Sequence, residues 1–364
     1  MGFLCEKEYC TGCGACVNSC PVNCIRMEAD GEGFFYPSMD GTRCIGCGKC
    51  SRACPALRPR RPAGGETRAY AAHCLDAALL KDSASGGLSA LLALDMLERG
   101  GAVFGAVFDG HFQVRHRMLE QKEELPALQG SKYAQSHMGD AYRRAKEVLE
   151  AGRPVLFTGT PCQIAGLRTF LGRDYDGLLC QDLICHSVPS PGVWENYLAE
   201  LEEAQGSPVE AVSFRDKEEG WGRYRFRTEF ADGSVRSVPG REEAYMRAFL
   251  GGLICRPSCH RCGFKGISRP SDITLADFWG VKKVCPEAME RQGVSLALVH
   301  TRRGGEALAR LAGKAAIREV DPGEAVKYNP AAVRAMPESP SRSAFWAGYT
   351  GRGLAELVQS CLDG

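Results

Sequence analysis

The segment ICRPSCHRC at 254–262 holds three cysteines, Cys255, Cys259 and Cys262. Their C-x3-C-x2-C spacing is the one radical-SAM enzymes use to hold a [4Fe–4S] cluster. Eight more cysteines fall in two runs, CTGCGACVNSCP at 10–21 and CIGCGKCSRACP at 44–55, offset by 34 residues throughout. Thiolates at such short intervals wrap a loop around metal rather than bridge distant strands.

Each run reads C-x2-C-x2-C-x3-C-P, the pattern of bacterial two-cluster ferredoxins. Three thiolates on one tight loop grip three irons of a cubane, and the fourth cysteine, before proline, reaches the other cluster. Cys10, Cys13, Cys16 and Cys54 are therefore expected to hold one [4Fe–4S] cluster, and Cys44, Cys47, Cys50 and Cys20 the second. Zinc also uses C-x2-C pairs, but a zinc site closes with four ligands and needs no interlocked runs. The glycines at 12, 14, 46 and 48 let the backbone approach the sulfurs. A module this small has little core of its own, so its clusters should help hold it folded. Cys5 and Cys24 fall outside the pattern and read as spare thiols.

The 19 cysteines sit in a chain of 364 residues, long enough for two or three domains. Hydrophobic residues make up 44%, sufficient for a packed core. No apolar run reaches the ~18 residues of a membrane span, and the start, MGFLCEKEYC, has no signal-peptide core. A cytoplasmic protein is expected, where disulfides explain cysteines poorly and metal explains them better. Basic and acidic residues number 45 and 44, a net charge of +1, so no nucleic-acid partner is implied. Arg52, Arg58, Arg60 and Arg61 lie in or beside a Pro- and Gly-rich stretch, 57–67, that reads as a solvated linker.

Beyond the linker, apolar segments alternate between strand and helix patterns. Helices are expected at 88–100, 140–152, 163–172 and 191–203, and strands at 101–109, 154–160, 177–185 and 294–301. That alternation predicts an α/β core with a largely parallel sheet. VEAVSFRD and YRFRTEFADGSVRSV read as added antiparallel strands turning at Asp232-Gly233. Cys162 and Cys185 each end an apolar strand, and adjacent parallel strands bring such ends to one edge of a sheet, where sites form. With Cys259 and Cys262 they make four thiols. On spacing alone, small buried hydrophobes serve equally well for both. The triplet at 255–262 comes after most of the α/β pattern and no barrel follows it, unlike a radical-SAM enzyme.

The segments GTPCQIAGLRTFLG, DLICHSVPSPGVWENYL, SFRDKEEGW, RPSCHRCGFK and SDITLADFWG occur in that order. The set resembles the coenzyme F420 hydrogenase/dehydrogenase β-subunit family over about residues 65–320, with a two-cluster ferredoxin module in front. The resemblance implies an α+β ferredoxin-like dicluster module at 1–62, an α/β flavin-binding core with added antiparallel strands at 63–330, and a C-terminal helical extension at 331–364. It implies a third [4Fe–4S] cluster on Cys162, Cys185, Cys259 and Cys262, leaving Cys255 a bystander. It also implies FAD.

No G-x-G-x-x-G follows a strand, so the chain lacks a dinucleotide-binding fingerprint. Two segments match the family's flavin loops. DSASGGLSALL puts Ser85, Gly86 and Gly87 at a helix N-terminus, where bare N–H groups suit a phosphate. GSKYAQS supplies Ser131, Lys132 and Tyr133, and Gly159 and Thr160 join them ahead of Cys162. An ordinary serine cap and an ordinary loop are the plain alternatives. Clusters, flavin and fold together imply an oxidoreductase that links ferredoxin, or another redox protein, to coenzyme F420 or another two-electron organic substrate. A non-catalytic electron-transfer subunit of a larger complex is the alternative. His186, Asp277 and Trp279 lie in the matched motifs, and no proton donor is assigned.

Overall fold

The computed structural model describes residues 4–59, 65–351 and 353–363. The first three residues, Arg60, Arg61 and the expected boundary at 62/63 lie outside the described residues. The cysteine loops precede two short helices, Ala15–Ser19 and Lys49–Arg52. Between them β1 (Ile25–Ala29) and β2 (Phe35–Met39) form an antiparallel hairpin. Gly12, Gly14, Gly46 and Gly48 all have φ between +65° and +75°. The sequence repeat is thus a repeat of left-handed turns that side chains rarely adopt.

The core is an eight-stranded sheet. Its strands are β3 (Arg68–Cys74), β4 (Ala102–Phe108), β5 (Val114–Leu119), β6 (Val155–Thr158), β7 (Leu178–Leu183), β11 (Ile273–Asp277), β12 (Ser295–Val299) and β13 (Ala315–Val320). The intervening β8 (Val209–Asp216), β9 (Arg225–Phe230) and β10 (Val235–Pro239) make a separate antiparallel sheet. The order of the large sheet is β13-β3-β12-β11-β7-β6-β4-β5. Within this sheet β4–β6, β6–β7 and β7–β11 pair in parallel, and the remaining neighbours pair antiparallel. The expected largely parallel sheet is therefore a mixed one. Helices Ala141–Glu150 and Pro161–Leu171 return the chain for parallel pairing, whereas β4 turns directly into β5 and β11 meets β12 head to tail.

Side chains alternate across this sheet. Val103, Leu156 and Leu179 face the helices Leu88–Glu98 and Arg302–Ala309. Phe104, Phe157 and Cys180 face Ala141–Glu150 and Pro161–Leu171. Cys13, Ala15 and Ala53 of the cysteine module belong to the second cluster, so the module's apolar interior is continuous with the sheet face. Asn18, Arg143 and Thr169 tie the same contact: Arg143 donates to the carbonyls of Val17, Asn18 and Cys20, and Thr169 to that of Ala53. The terminal helices Arg342–Gly348 and Leu354–Asp363 bury Phe345, Leu354 and Val358 against Tyr245 and Phe249.

A buried polar knot closes the end of β12. The Thr274 hydroxyl donates to Asp182, so His300 Nε2 donates to Thr274 Oγ1 at 2.8 Å and Nδ1 accepts from Thr67 at 3.1 Å. Burial, then the nearby Arg269, lowers the His300 pKa to about 3. A histidine depressed in the folded state contributes stability above its unfolded pKa of about 6.5. That contribution is lost as pH falls from there toward about 3, at up to ~1.4 kcal/mol per pH unit. Denaturant titrations of His300→Gln between these limits should show an acid slope shallower by about one proton; an unchanged slope refutes the assignment.

Candidate functional site

Thr160 caps the helix that begins at Pro161, with a capping box closed by Gln163. Proline suits the first helical position because its missing N–H would have no partner there. The sequence pattern starts this helix at Gln163; the structure starts it two residues earlier and puts Cys162 in its first turn. Cys185 lies two residues past β7, the parallel neighbour of β6. Cys259 and Cys262 lie on and just after the short helix Pro257–His260. Cys162, Cys185, Cys259 and Cys262 line one small cavity with Thr11, Arg256 and Lys265.

Burial raises the pKa of Cys162, pushes that of Cys185 up to about 12 and holds that of Cys259 well above the usual thiol range. Ionising such thiols requires a cation to replace their protons. Lys265 opposes the burial at Cys185 and donates to the carbonyls of Cys185 and Ala331. Among the described residues no three His, Cys, Asp or Glu side chains close around a single-ion site. The donor set is all sulfur, which suits an iron–sulfur cluster. Cys255 does not reach this cavity. It is fully buried, 2.9 Å from Ser187 Oγ and 3.4 Å from the Phe249 carbonyl.

In the module, Cys16 has Cys10 and Cys54 as its electrostatic neighbours, and Cys13 has Cys16 and Cys10. The first loop and the last cysteine of the second run thus come together. On the other side Cys20 and Cys24 sit 3.4 Å apart, with Cys44 beside Cys24. Cys44 is exposed, and Cys47 and Cys50 are half-buried. Cys5 packs with Cys10 and Cys54. Cys5 and Cys24, which no spacing rule picks out, therefore each sit beside one of the four-cysteine sets. Cys13 also meets the core: a side chain at Gly166 would place its Cβ 3.0 Å from Cys13 Sγ, and Cys162 acts electrostatically on Cys13.

A second cavity, of about 810 Å³, opens along the C-terminal ends of β6 and β7. Ser85, Gly87, Ser131, Lys132, Tyr133, Gly159 and Thr160 line it. The structure does not bring Gly86 to its wall; any Cβ there would collide with the Ala72 carbonyl and the Ser295 amide, so Gly86 serves close packing of β3 and β12. Gly87, at φ +81°, caps the helix Leu88–Glu98 without a side-chain hydrogen bond, while the Ser85 hydroxyl turns away to the Val294 carbonyl. First-turn amides at such an end suit an anion. Burial lowers the Lys132 pKa to about 8.

The far wall carries Asp277, which accepts from Arg215 at 2.8 Å and from Trp221 Nε1 at 2.7 Å. Trp279 stacks on Trp221 at 4.8 Å, and Arg215 lies over Tyr224 and Trp279. Sequence reading named Asp277 and Trp279 but missed Arg215 and Tyr224, although Arg215 stands in the quoted SFRD segment. Cys185, His186, Ser187 and Val188 line both cavities, so one four-residue segment separates the cysteine pocket from the large one. Burial first, then Lys265, lowers the His186 pKa.

These features define an iron–sulfur redox protein with a mixed α/β core. Residues 9–57 match the 4Fe–4S dicluster domain, and residues 152–324 match the family described as the C terminus of the coenzyme F420 hydrogenase/dehydrogenase beta subunit. Residues 152–324 thus carry the C-terminal domain of that β-subunit family, behind a dicluster domain at 9–57. No curated protein matches it. A solved chain from the F420-reducing [NiFe] hydrogenase complex of Methanosarcina barkeri is similar at 19% identity, over 84% of this chain and 91% of that one, with a TM-score of 0.49. Among the described residues no helix is long and apolar enough to cross a membrane.

Proposed function

We propose that the chain is a flavin- and iron–sulfur-dependent oxidoreductase. Electrons would pass between an external ferredoxin-type donor and a two-electron organic substrate, coenzyme F420 or another. The observation that carries this reading is the shared wall at 185–188 between an all-cysteine pocket and a large cavity. Clusters carry single electrons and a flavin exchanges one or two, so the pair connects the two kinds of chemistry. FAD suits the large cavity in size, since ligand sites span ~300–1,000 Å³, and its phosphates suit the helix end at Gly87. The chain's own residues support an order. The set Cys20, Cys44, Cys47 and Cys50 is outermost. The set Cys10, Cys13, Cys16 and Cys54 follows, against the helix of Cys162. Cys162, Cys185, Cys259 and Cys262 come last, beside the cavity. In this reading residues 1–62 are the electron entry module, 63–330 the flavin and cluster core, and 331–364 a helical brace.

Anaerobically purified or reconstituted protein should carry about twelve irons and as many sulfides per chain, together with a flavin absorbance band bleached by reduced ferredoxin. About eight irons would remove the third cluster, zinc in place of iron would overturn the reading, and full iron without flavin would favour a subunit that only transfers electrons.

A further inference from the structure

Arg256 lies between the two cysteine sets that the proposed relay places in sequence. It is fully buried. Its Nε donates to the Cys10 carbonyl at 2.7 Å, its Nη1 to Gln135 at 2.8 Å and its Nη2 to the Phe35 carbonyl at 3.0 Å. Nη2 is also 3.8 Å from Cys10 Sγ. Gln135 in turn donates to the Thr11 carbonyl at 3.0 Å. The guanidinium lies over the Tyr36 ring, 4.1 Å from its centroid. On the other side Arg256 lines the cavity of Cys162, Cys185, Cys259 and Cys262. Gly12 fits against it because any side chain there would run into Arg256 and Gln135.

Among the described residues no carboxylate pairs with Arg256. Every oxygen that accepts from it belongs to a carbonyl or an amide. Fixed dipoles and ring faces offset part of the cost of burying a cation, but a buried charge without a counter-charge is expensive. The Tyr36 phenol beside it is held neutral by burial, and the thiols that face the guanidinium are Cys10 and, across the cavity, Cys162. Four thiolates around a cubane leave a net negative charge, and that charge grows by one on reduction.

We infer that Arg256 is the shared counter-charge at the junction of the Cys10, Cys13, Cys16, Cys54 set and the core cysteine set. This rests on the proposed clusters and extends that reading by naming what sets their potentials. A fixed positive charge favours the reduced, more negative form. It therefore raises the reduction potential of the inner module cluster. The same fork holds the first cysteine loop against the core, and so fixes the distance between the two sets. Arg256 acts through the clusters as a positioning and tuning residue, and it takes part in no bond-making step.

The test is an EPR-monitored redox titration of anaerobically purified full-length protein. In Arg256→Gln the inner module cluster should shift to a more negative midpoint, and Arg256→Lys should recover most of the shift because charge is retained while the fork is lost. The outer module cluster, on Cys20, Cys44, Cys47 and Cys50, should stay at its wild-type midpoint. If neutral variants do not accumulate, Gln135→Glu sets a carboxylate against the same guanidinium, cancels its charge and should give the same negative shift. An unmoved inner midpoint overturns the inference, as does a lysine variant shifted as far as the glutamine one, or a common shift of all clusters. Iron counts measured alongside report on the three-cluster reading separately: a missing cluster in the wild type fails that reading, whereas full iron with an unmoved midpoint fails only this one.

Discussion

Serine at Cys162 is expected to lower the iron content of anaerobically purified protein from about twelve atoms per chain to about eight, while serine at Cys255 leaves it unchanged. Cys162 faces the pocket shared with Cys185, Cys259 and Cys262. A hydroxyl there is a harder and far less acidic ligand than a thiol, and iron held by three thiolates and an alcohol is easily lost. Cys255 faces Ser187 and the Phe249 carbonyl in an aromatic cluster with Trp194 and Tyr245. A serine can keep both hydrogen bonds, so the expected cost is no more than about 1–3 kcal/mol of stability. The two module clusters should survive both changes. Under the proposed relay, flavin reduction by external ferredoxin should fail only in the Cys162 variant, because the station beside the cavity would be lost. The radical-SAM reading of the triplet requires the opposite ranking, with Cys255 essential and Cys162 dispensable. Iron analysis and flavin-reduction rates on the two variants side by side decide between them.

If the large cavity holds the proposed flavin, Ser89→Trp should remove it and spare the iron. Ser89 is exposed on the first turn of the helix Leu88–Glu98 and lines the large cavity, its hydroxyl accepting from Gln181 at 2.9 Å. An indole at that position fills cavity rather than core. The helix itself should therefore be little disturbed, and the lost hydrogen bond is worth only ~1 kcal/mol. A flavin-to-protein ratio at least ~10-fold lower, equivalent to about 1.4 kcal/mol of binding or more, is the expected result, with iron and melting temperature close to wild type. Wild-type flavin content in this variant would place the flavin elsewhere. Joint loss of flavin and iron would show that the tryptophan had disrupted the fold.

Much of the chemistry is legible because its signal is local. The cysteine runs fix loop geometry within a dozen residues, and the four glycines that the wrap requires stand inside them. The helices at 88–100 and 140–152 were readable from periodicity, and the hairpin from Asp232-Gly233, where Gly233 has φ +82°. Strand direction was not legible. β11 and β12 are covered on both faces, so they read as the continuous apolar runs usual for parallel strands although they pair antiparallel with each other.

The sequence alone determined that this protein carries paired iron–sulfur loops ahead of an α/β core, since ligand spacing and hydrophobic period are properties of short segments. Which cysteines share a pocket is a different kind of fact. Cys162, Cys185 and Cys259 are separated by tens of residues, and only the parallel pairing of β6 with β7 and the return of the chain at Pro257 bring them to one cavity. Only tertiary packing gave Cys5 and Cys24 cysteine neighbours, withdrew Gly86 from the cavity, and buried Arg256 with no carboxylate paired to it among the described residues. A side chain's burial and the charge opposite it depend on residues far away in the chain, so no local pattern can record them.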